Sequence, residues 1–367
     1  MKPALKISLF AGYAVLVIVL FKGIKVFEKE AKEAFFTFIT KRLVAQSSHV
    51  PVDKCITGIY KPELPYSFAP LEELEDTLGK KFTLISFYQA WGEKPEHSFQ
   101  PVLMDEVLKK GRVPMLTWEP WVTDFTAPHL KPLSKREYRY LQDIADGVYD
   151  FFIQEWAKAA VQWGKPFFLR FAHEMTNTQY PWSLVNDNRP EDYIRAWWHV
   201  RSVFDSLGAR NVIWVWCPYG TDVLKYYPGD KFVDWVAIDI FNYGELLADD
   251  GEGMRWMSFD QLASPIYREI SVLKKPVMVA EAGCSDIGGS REVWYREMLD
   301  QIAKKFTSIK AVIFFDDPSD RTSGKWVIDW SIENSPEVRS EIREVLKSEH
   351  FGFIENYHQL LSASKKE

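Results

Sequence analysis

Two glutamates, Glu174 and Glu281, are placed where a pair of carboxyls could do chemistry. Glu174 closes the run Phe168-Leu169-Arg170-Phe171-Ala172-His173-Glu174, and Glu281 closes Pro276-Val277-Met278-Val279-Ala280-Glu281 ahead of Ala282-Gly283. Each run is apolar until it ends in polar residues, which is how a buried strand gives way to a loop. In a closed barrel of parallel strands, the loops at the strand C-termini form the catalytic face. Two carboxyls converging there supply what cleavage of a glycosidic bond requires: one protonates the leaving oxygen, the other attacks the sugar or steers water. Arg170 would favour the ionised form of a neighbouring Glu281, and that charge would in turn raise the pKa of Glu174. The same residues admit structural readings, with Glu174 as a strand-end carboxylate paired to Arg170 and Glu281 as a helix cap before Gly283.

The elements that must position this pair are legible as alternating strand-like and helix-like segments, the pattern of parallel βα units. Eight apolar runs begin near Cys55, Phe82, Val113, Phe167, Val212, Val233, Pro276 and Ala311. Each is rich in β-branched or aromatic residues on both faces, as a strand buried on both sides should be. Helices are predicted over Tyr138–Trp163, Asp192–Leu207, Phe259–Leu273 and Arg291–Phe306. No Gly-rich phosphate loop follows an early strand, which argues against a doubly wound open sheet. The predicted fold class is therefore α/β, a (β/α)8 TIM barrel with an N-terminal hydrophobic anchor and a short helical stalk. Glu174 would follow strand four and Glu281 would end strand seven, on opposing sides of the ring, so that both reach one cleft.

Several motifs in this order resemble glycoside hydrolase family 26. They are Arg170-Phe171-Ala172-His173-Glu174-Met175 with Tyr180-Pro181-Trp182, Tyr227-Pro228-Gly229-Asp230 with Val233-Asp234-Trp235-Val236 and Ile238-Asp239, and Lys275-Pro276-Val277-Met278-Val279-Ala280-Glu281. Tyr88-Gln89-Ala90-Trp91-Gly92, Thr117-Trp118-Glu119-Pro120-Trp121 and Trp326-Val327-Ile328-Asp329 are similar as well. The resemblance spans roughly residues 55–345. It implies a retaining enzyme of the endo-β-mannanase or β-1,3-1,4-glucanase type, with Glu174 as acid/base, Glu281 as nucleophile, His173 positioning the acid/base and Arg170 holding the nucleophile's surroundings. Three positions depart from the family pattern: Thr176 after the acid/base, Phe241 where a tyrosine commonly bonds the nucleophile, and Asp316 at the end of strand eight.

Composition sets the remaining bounds. The chain has 367 residues, 47% hydrophobic, with a formal charge of −6 that argues against nucleic-acid binding. Its three cysteines, Cys55, Cys217 and Cys284, form no CxxC pattern and read as buried packing residues. The run His173-Glu174-Met175-Thr176-Asn177 lacks the second histidine of a zinc helix, so neither a metal nor a cofactor is expected. Asp316-Asp317-Pro318-Ser319-Asp320 and Asp249-Asp250-Gly251-Glu252 read as solvated loops. The 15 tryptophans offer flat faces on which sugar rings stack. Trp91, Trp118, Trp121, Trp182 and Trp326 fall at or beyond strand ends, where stacking and core packing are both open. The substrate-binding set expected from these readings is Arg170, His173, Trp91, Trp118, Glu119, Trp182, Tyr243 and Trp326, with Tyr243 a source for the missing phenol.

Ile7 to Phe21 is an uncharged run of 15 residues between Lys6 and Lys22. It is short for a span, but flanking lysines can snorkel, and no small-x-small cleavage site follows. The expected organisation is a signal-anchor over 1–22, an amphipathic stalk and linker over 23–50, a monomeric hydrolase domain over 51–348 and a polar tail over 349–367. The protein would be membrane-anchored with an extracytoplasmic catalytic domain, or secreted if the segment is cleaved. Its substrate would be a β-linked hexose polysaccharide, β-1,4-mannan or β-1,3-1,4-glucan, with Tyr180-Pro181-Trp182 leaning toward the glucanase-like branch. A non-catalytic polysaccharide-binding accessory protein and a transglycosylase are the alternatives.

Overall fold

The computed structural model describes residues 54–136, 139–246, 255–322 and 326–353. The expected anchor and stalk, the acidic run from Asp249 to Glu252 and residues 354–367 lie outside the described residues. Among those described, no helix is long and apolar enough to cross a membrane.

Eight parallel strands close into a barrel: β1 (Cys55–Tyr60), β2 (Leu84–Ala90), β3 (Val113–Glu119), β4 (Phe167–Phe171), β5 (Val212–Trp216), β6 (Trp235–Asn242), β7 (Val277–Cys284) and β8 (Ile309–Phe315). Closure comes from β1 pairing with β8 on one side and β2 on the other. The strands start within about two residues of the apolar runs, because side chains buried on both faces leave few polar interruptions. A two-residue strand, β9 (Phe351–Gly352), pairs in parallel with Cys55 and Ile56 at the start of β1. The segment expected to be a polar tail therefore begins as part of the barrel.

Around the barrel lie α1 (Ala69–Leu78), α2 (Pro101–Lys109), α3 (Leu133–Arg136), α4 (Tyr140–Ala145), α5 (Asp150–Trp163), α6 (Pro190–Leu207), α7 (Phe259–Ile270), α8 (Arg291–Lys304) and α9 (Pro336–Leu346). The long helix predicted from residue 138 to Trp163 is two helices. Gly147, at φ +80°, turns the chain between them, a conformation open to glycine at little cost. The last turn predicted for α7 tightens into a 3-10 segment, Ser271–Leu273.

Strand pleating sorts the side chains. Ile56, Met115, Phe168, Val215, Ala237, Met278 and Ile313 pack inside the barrel, and their neighbours one residue on face the helices. With Met115 and Thr117 inward, Trp118 must point outward, and Trp91 does so from the end of β2. Trp118 is wholly buried, with ring centroids 4.7 Å from Trp91 and 4.8 Å from Trp156. Trp91 also stacks on Phe171. The expectation that Trp91 and Trp118 bind sugar is thereby corrected, since their faces are spent in the core between β2–β4 and α5.

Replacing Trp118 with alanine should lower stability by about 3–5 kcal/mol, as deletion of a large buried ring does. The midpoint of denaturant unfolding measures this; a loss under about 1 kcal/mol with weakened sugar binding would contradict the core assignment.

Candidate active site

At the C-terminal end of the barrel, one guanidinium collects side chains from five other strands. Arg170 of β4 donates from Nη1 to both oxygens of Asp239 on β6, at 2.8 and 2.9 Å. Its Nε and Nη2 donate to Thr117 Oγ1 of β3, at 2.9 and 2.7 Å. Nη2 also donates to Glu281 Oε1 of β7 and lies 3.5 Å from the Tyr88 hydroxyl of β2. Cys217, just beyond β5, adds its thiol, which donates to Asp239 Oδ2 at 3.2 Å and lies 3.8 Å from Nη1. Apart from Glu281, these positions face inward because each is in phase with the inner residues of its own strand. A wholly buried arginine is tolerated only when its charge and donors are matched, as they are here.

Glu281 is the exception to the pleat. Met278 and Ala280 face the barrel interior and Val277 and Val279 the helices, so strict alternation would send Glu281 outward. The pairing of β6 with β7 slips at this point: Ile238 faces Val279, and Asp239 faces Glu281. Ala280 is the extra residue of a β-bulge, which turns the next side chain to the inner face. Glu281 Oε1 then receives Arg170 and the Tyr88 hydroxyl together. The phenol on this carboxylate comes from β2, which compensates for Phe241 on β6.

Glu174 is aimed by a second break. Ala172 and Glu174 have φ of +44° and +50°, a left-handed region that costs a side-chain-bearing residue strain. Three contacts hold the turn. Glu174 N–H donates to Cys217 O at 2.7 Å, Trp182 Nε1 donates to His173 O at 2.7 Å, and Asn177 Nδ2 donates to Glu174 Oε2 at 2.7 Å. The hydroxyl of Thr176 bonds the Tyr219 backbone, accepting from its N–H at 3.1 Å and donating to its carbonyl. The departure at Thr176 thus has a defined structural job.

Glu174 and Glu281 line a single cavity of about 840 Å³, together with Glu119, Asp239, Tyr88 and Tyr180. Burial, then Asp239 and Glu281, drive the Glu174 pKa well above the ordinary carboxylate range. Burial raises Glu119 to about 7, and raises Asp239 to about 7 although Arg170 draws it down. Asp239 lies within reach of a hydrogen bond from protonated Glu174. Burial opposes charge on Arg170, but Asp239 and Glu281 outweigh it and keep the guanidinium charged. Burial and Arg170 together keep His173 neutral. One carboxyl, Glu174, thus keeps its proton while another, Glu281, sits on a cation 111 residues from it in the chain, Arg170.

The other expected site residues separate into two groups. Glu119, Tyr243 and Trp326 line the cavity; Glu119 accepts from Trp121 Nε1 at 3.1 Å, and Tyr243 packs on Phe241 and Trp330. Arg170 and His173 are buried behind it, His173 with Nε2 3.0 Å from the Tyr180 hydroxyl. Trp182 is wholly buried and stacked at 4.7 Å on Tyr180, so the cleft meets Tyr180 and not Trp182. Stacking of sugar on Trp182 is corrected accordingly. Asp316 lies below the cleft in a buried pair with Lys61 at 2.9 Å. All three cysteines are free and buried, and no metal-binding group of side chains occurs among the described residues. Tyr88, Thr117, Cys217, Asp239 and Asn177 appear in the sequence motifs and counts without a site role. For the first four the available signal is a polar residue in phase with the inward neighbours of an apolar strand; Asn177, in the loop after β4, carries no such signal.

Comparison with known proteins finds a family likeness over part of this site. The model of glycosyl hydrolase family 26 matches residues 117–265, which include Arg170, Glu174 and Asp239 and stop short of Glu281. Endoglucanase H of Acetivibrio thermocellus is 30% identical over 291 residues, 76% of this chain; the chain spans 29% of that relative's length. Among solved structures, GH26C from a Muricauda species aligns with a TM-score of 0.62 at 15% identity, covering 87% of this chain and 93% of that one. A mannanase of Bacillus subtilis aligns at 0.57 and 17% identity, covering 85% and 91%. At these identities the structural likeness shows a shared fold. The family's model lies on the strands that build the Arg170 cluster, and over residues 117–265 the chain is similar to glycosyl hydrolase family 26.

Proposed function

We propose that this protein is a retaining endo-β-glycosidase that cleaves internal linkages of a β-linked hexose polysaccharide. The observation that carries the reading is the division of labour between two carboxyls in one cavity: Glu174 holds a proton, and Glu281 sits on Arg170 and Tyr88. Both donors meet Glu281 Oε1, so Oε2 is the oxygen offered to a sugar. In the first step Glu281 attacks the anomeric carbon, and the glycosidic C–O bond breaks as Glu174 gives its proton to the leaving oxygen. In the second step Glu174 takes a proton from water, whose oxygen displaces Glu281 and releases a product of unchanged anomeric configuration. Asn177, donating to Glu174 Oε2, keeps the carboxyl in place through both steps.

Glucan and mannan are both within the reading. The endoglucanase relative and Tyr180, the aromatic face of the Tyr180-Pro181-Trp182 element in the cleft, favour β-1,3-1,4-glucan. The uncharged run from Ile7 to Phe21 supports a membrane-anchored protein with the barrel outside the cytoplasm.

Reducing ends released by the full-length chain from β-1,3-1,4-glucan and β-1,4-mannan test the activity directly. Glu281→Ala should lower turnover on the cleaved polymer on the order of 10⁴-fold or more, as removal of a nucleophile does. More than a trace of wild-type turnover in that variant would overturn the assignment.

A pH effect follows from the buried carboxyls. Glu119 titrates near 7 in the folded protein, above its value in the unfolded chain, so folding takes up a proton between those two values. Stability from this group is therefore lost as pH rises from about 4.5 to 7. Glu119→Gln should raise the melting temperature at pH 8 by about 2–4 °C and leave it nearly unchanged at pH 4. Equal shifts at both values would contradict the burial of an ionisable Glu119.

A further inference from the structure

The cleft continues past Glu174 to a region that the two-carboxyl chemistry does not use. There the loop after β5 faces the first turns of α7, and Tyr219, Gln261, Leu262, Pro265 and Ile266 line the same cavity as the catalytic pair. Tyr219 is 44% exposed, an unusual state for a tyrosine whose backbone is pinned on both polar atoms by Thr176. The loop is tied to the opposite wall as well: Glu269 of α7 accepts from the N–H groups of Asp222 and Val223, at 2.8 and 2.9 Å. Two walls of a groove are thus bolted together, with an aromatic face presented between them.

The facing helix carries a second feature. Pro265 stands inside α7. Proline has no N–H, so the carbonyl of Gln261, one turn back on the same face, loses its helix donor. Gln261 is an exposed residue lining the cavity, so its carbonyl is left with an open acceptor position. Beside it, Leu262, Pro265 and Ile266 form an apolar strip. A hexose ring has the matching chemistry: C–H faces for a tyrosine and an apolar strip, and edge hydroxyls that donate to a carbonyl.

We propose that Tyr219 and the facing flank of α7 form a distal sugar subsite, which holds a hexose unit of the bound β-glycan away from the bond being broken. The subsite rests on the hydrolase reading above and extends it: the enzyme reads chain length, and longer substrates gain affinity from a pre-built platform.

The test compares kcat/KM for oligosaccharides of three and six hexoses, cut from the polymer that the full-length wild-type chain degrades. The ratio of the longer to the shorter substrate should fall roughly five- to tenfold in Tyr219→Ala, the scale of one lost aromatic contact, and recover in Tyr219→Phe. Pro265→Ala restores a helix donor to Gln261 without endangering the fold, and should lower the ratio roughly two- to fivefold. A merely structural Tyr219 would depress both substrates alike and leave the ratio in place. A ratio within about twofold of wild type in Tyr219→Ala, or a phenylalanine variant no better than alanine, would overturn the subsite alone. A wild-type chain that degrades neither glucan nor mannan would overturn the hydrolase reading and the subsite with it, before any variant is made.

Discussion

The buried guanidinium of Arg170 is the constraint around which the C-terminal end of the barrel is arranged. A charge taken from water into a barrel interior is expensive, and breaking such a cluster by removing one partner typically costs about 3–5 kcal/mol. The five donors of Arg170 are matched by Thr117, Asp239 and Glu281, with Tyr88 and Cys217 closing the shell. Strands β2 to β7 therefore meet in one hydrogen-bonded layer, and each carboxylate's position is dictated by the fork geometry of the arginine. The same layer decides protonation. One cation cannot neutralise Glu119, Glu174, Asp239 and Glu281 together; Arg170 bonds Asp239 and Glu281, and Glu174, which it does not bond, keeps its proton.

Two local violations of regular strand geometry aim Glu174 and Glu281 into the cleft. The bulge at Ala280 re-phases β7 by one residue and brings Glu281 inward. The left-handed residues Ala172 and Glu174 turn the chain sharply after β4. Each is stabilised from outside its own strand: the bulge by Arg170 and Tyr88, the turn by Cys217, Trp182 and Asn177. Strain and buried ionisable groups gathered at one end of the barrel, while the apolar layers below and the tryptophan-rich shell around them carry stability, follow a common division in enzymes.

Much of the architecture was readable from the chain. The strands β1 to β8 announce themselves because burial on both faces demands unbroken apolar runs, and both glutamates and Arg170 lie where such runs end. The long helix before β4 was misjudged because apolar periodicity continues across Gly147, whose positive φ breaks it. Trp91, Trp118 and Trp182 were placed in the cleft because their position along the chain says how near a strand end they are, and not which face they take. Pleat phase decides that for Trp91 and Trp118, and the stacked Tyr180 decides it for Trp182. Tyr88, Cys217 and Asp239 show no site role in the sequence because that role exists only where separate strands converge. The bulge at Ala280 has no signature in one strand's sequence; it is a property of the β6–β7 pairing.

The central claim is that Glu281 becomes covalently bonded to sugar. A β-glucoside or β-mannoside donor fluorinated beside the anomeric carbon, with a good leaving group, slows both steps and lets the ester accumulate. The account predicts that the intact chain gains the mass of one glycosyl unit, that peptide mapping finds it on Glu281, and that Glu281→Ala gains nothing. A label on any other residue, or turnover of an ordinary substrate with inverted anomeric configuration, would contradict it.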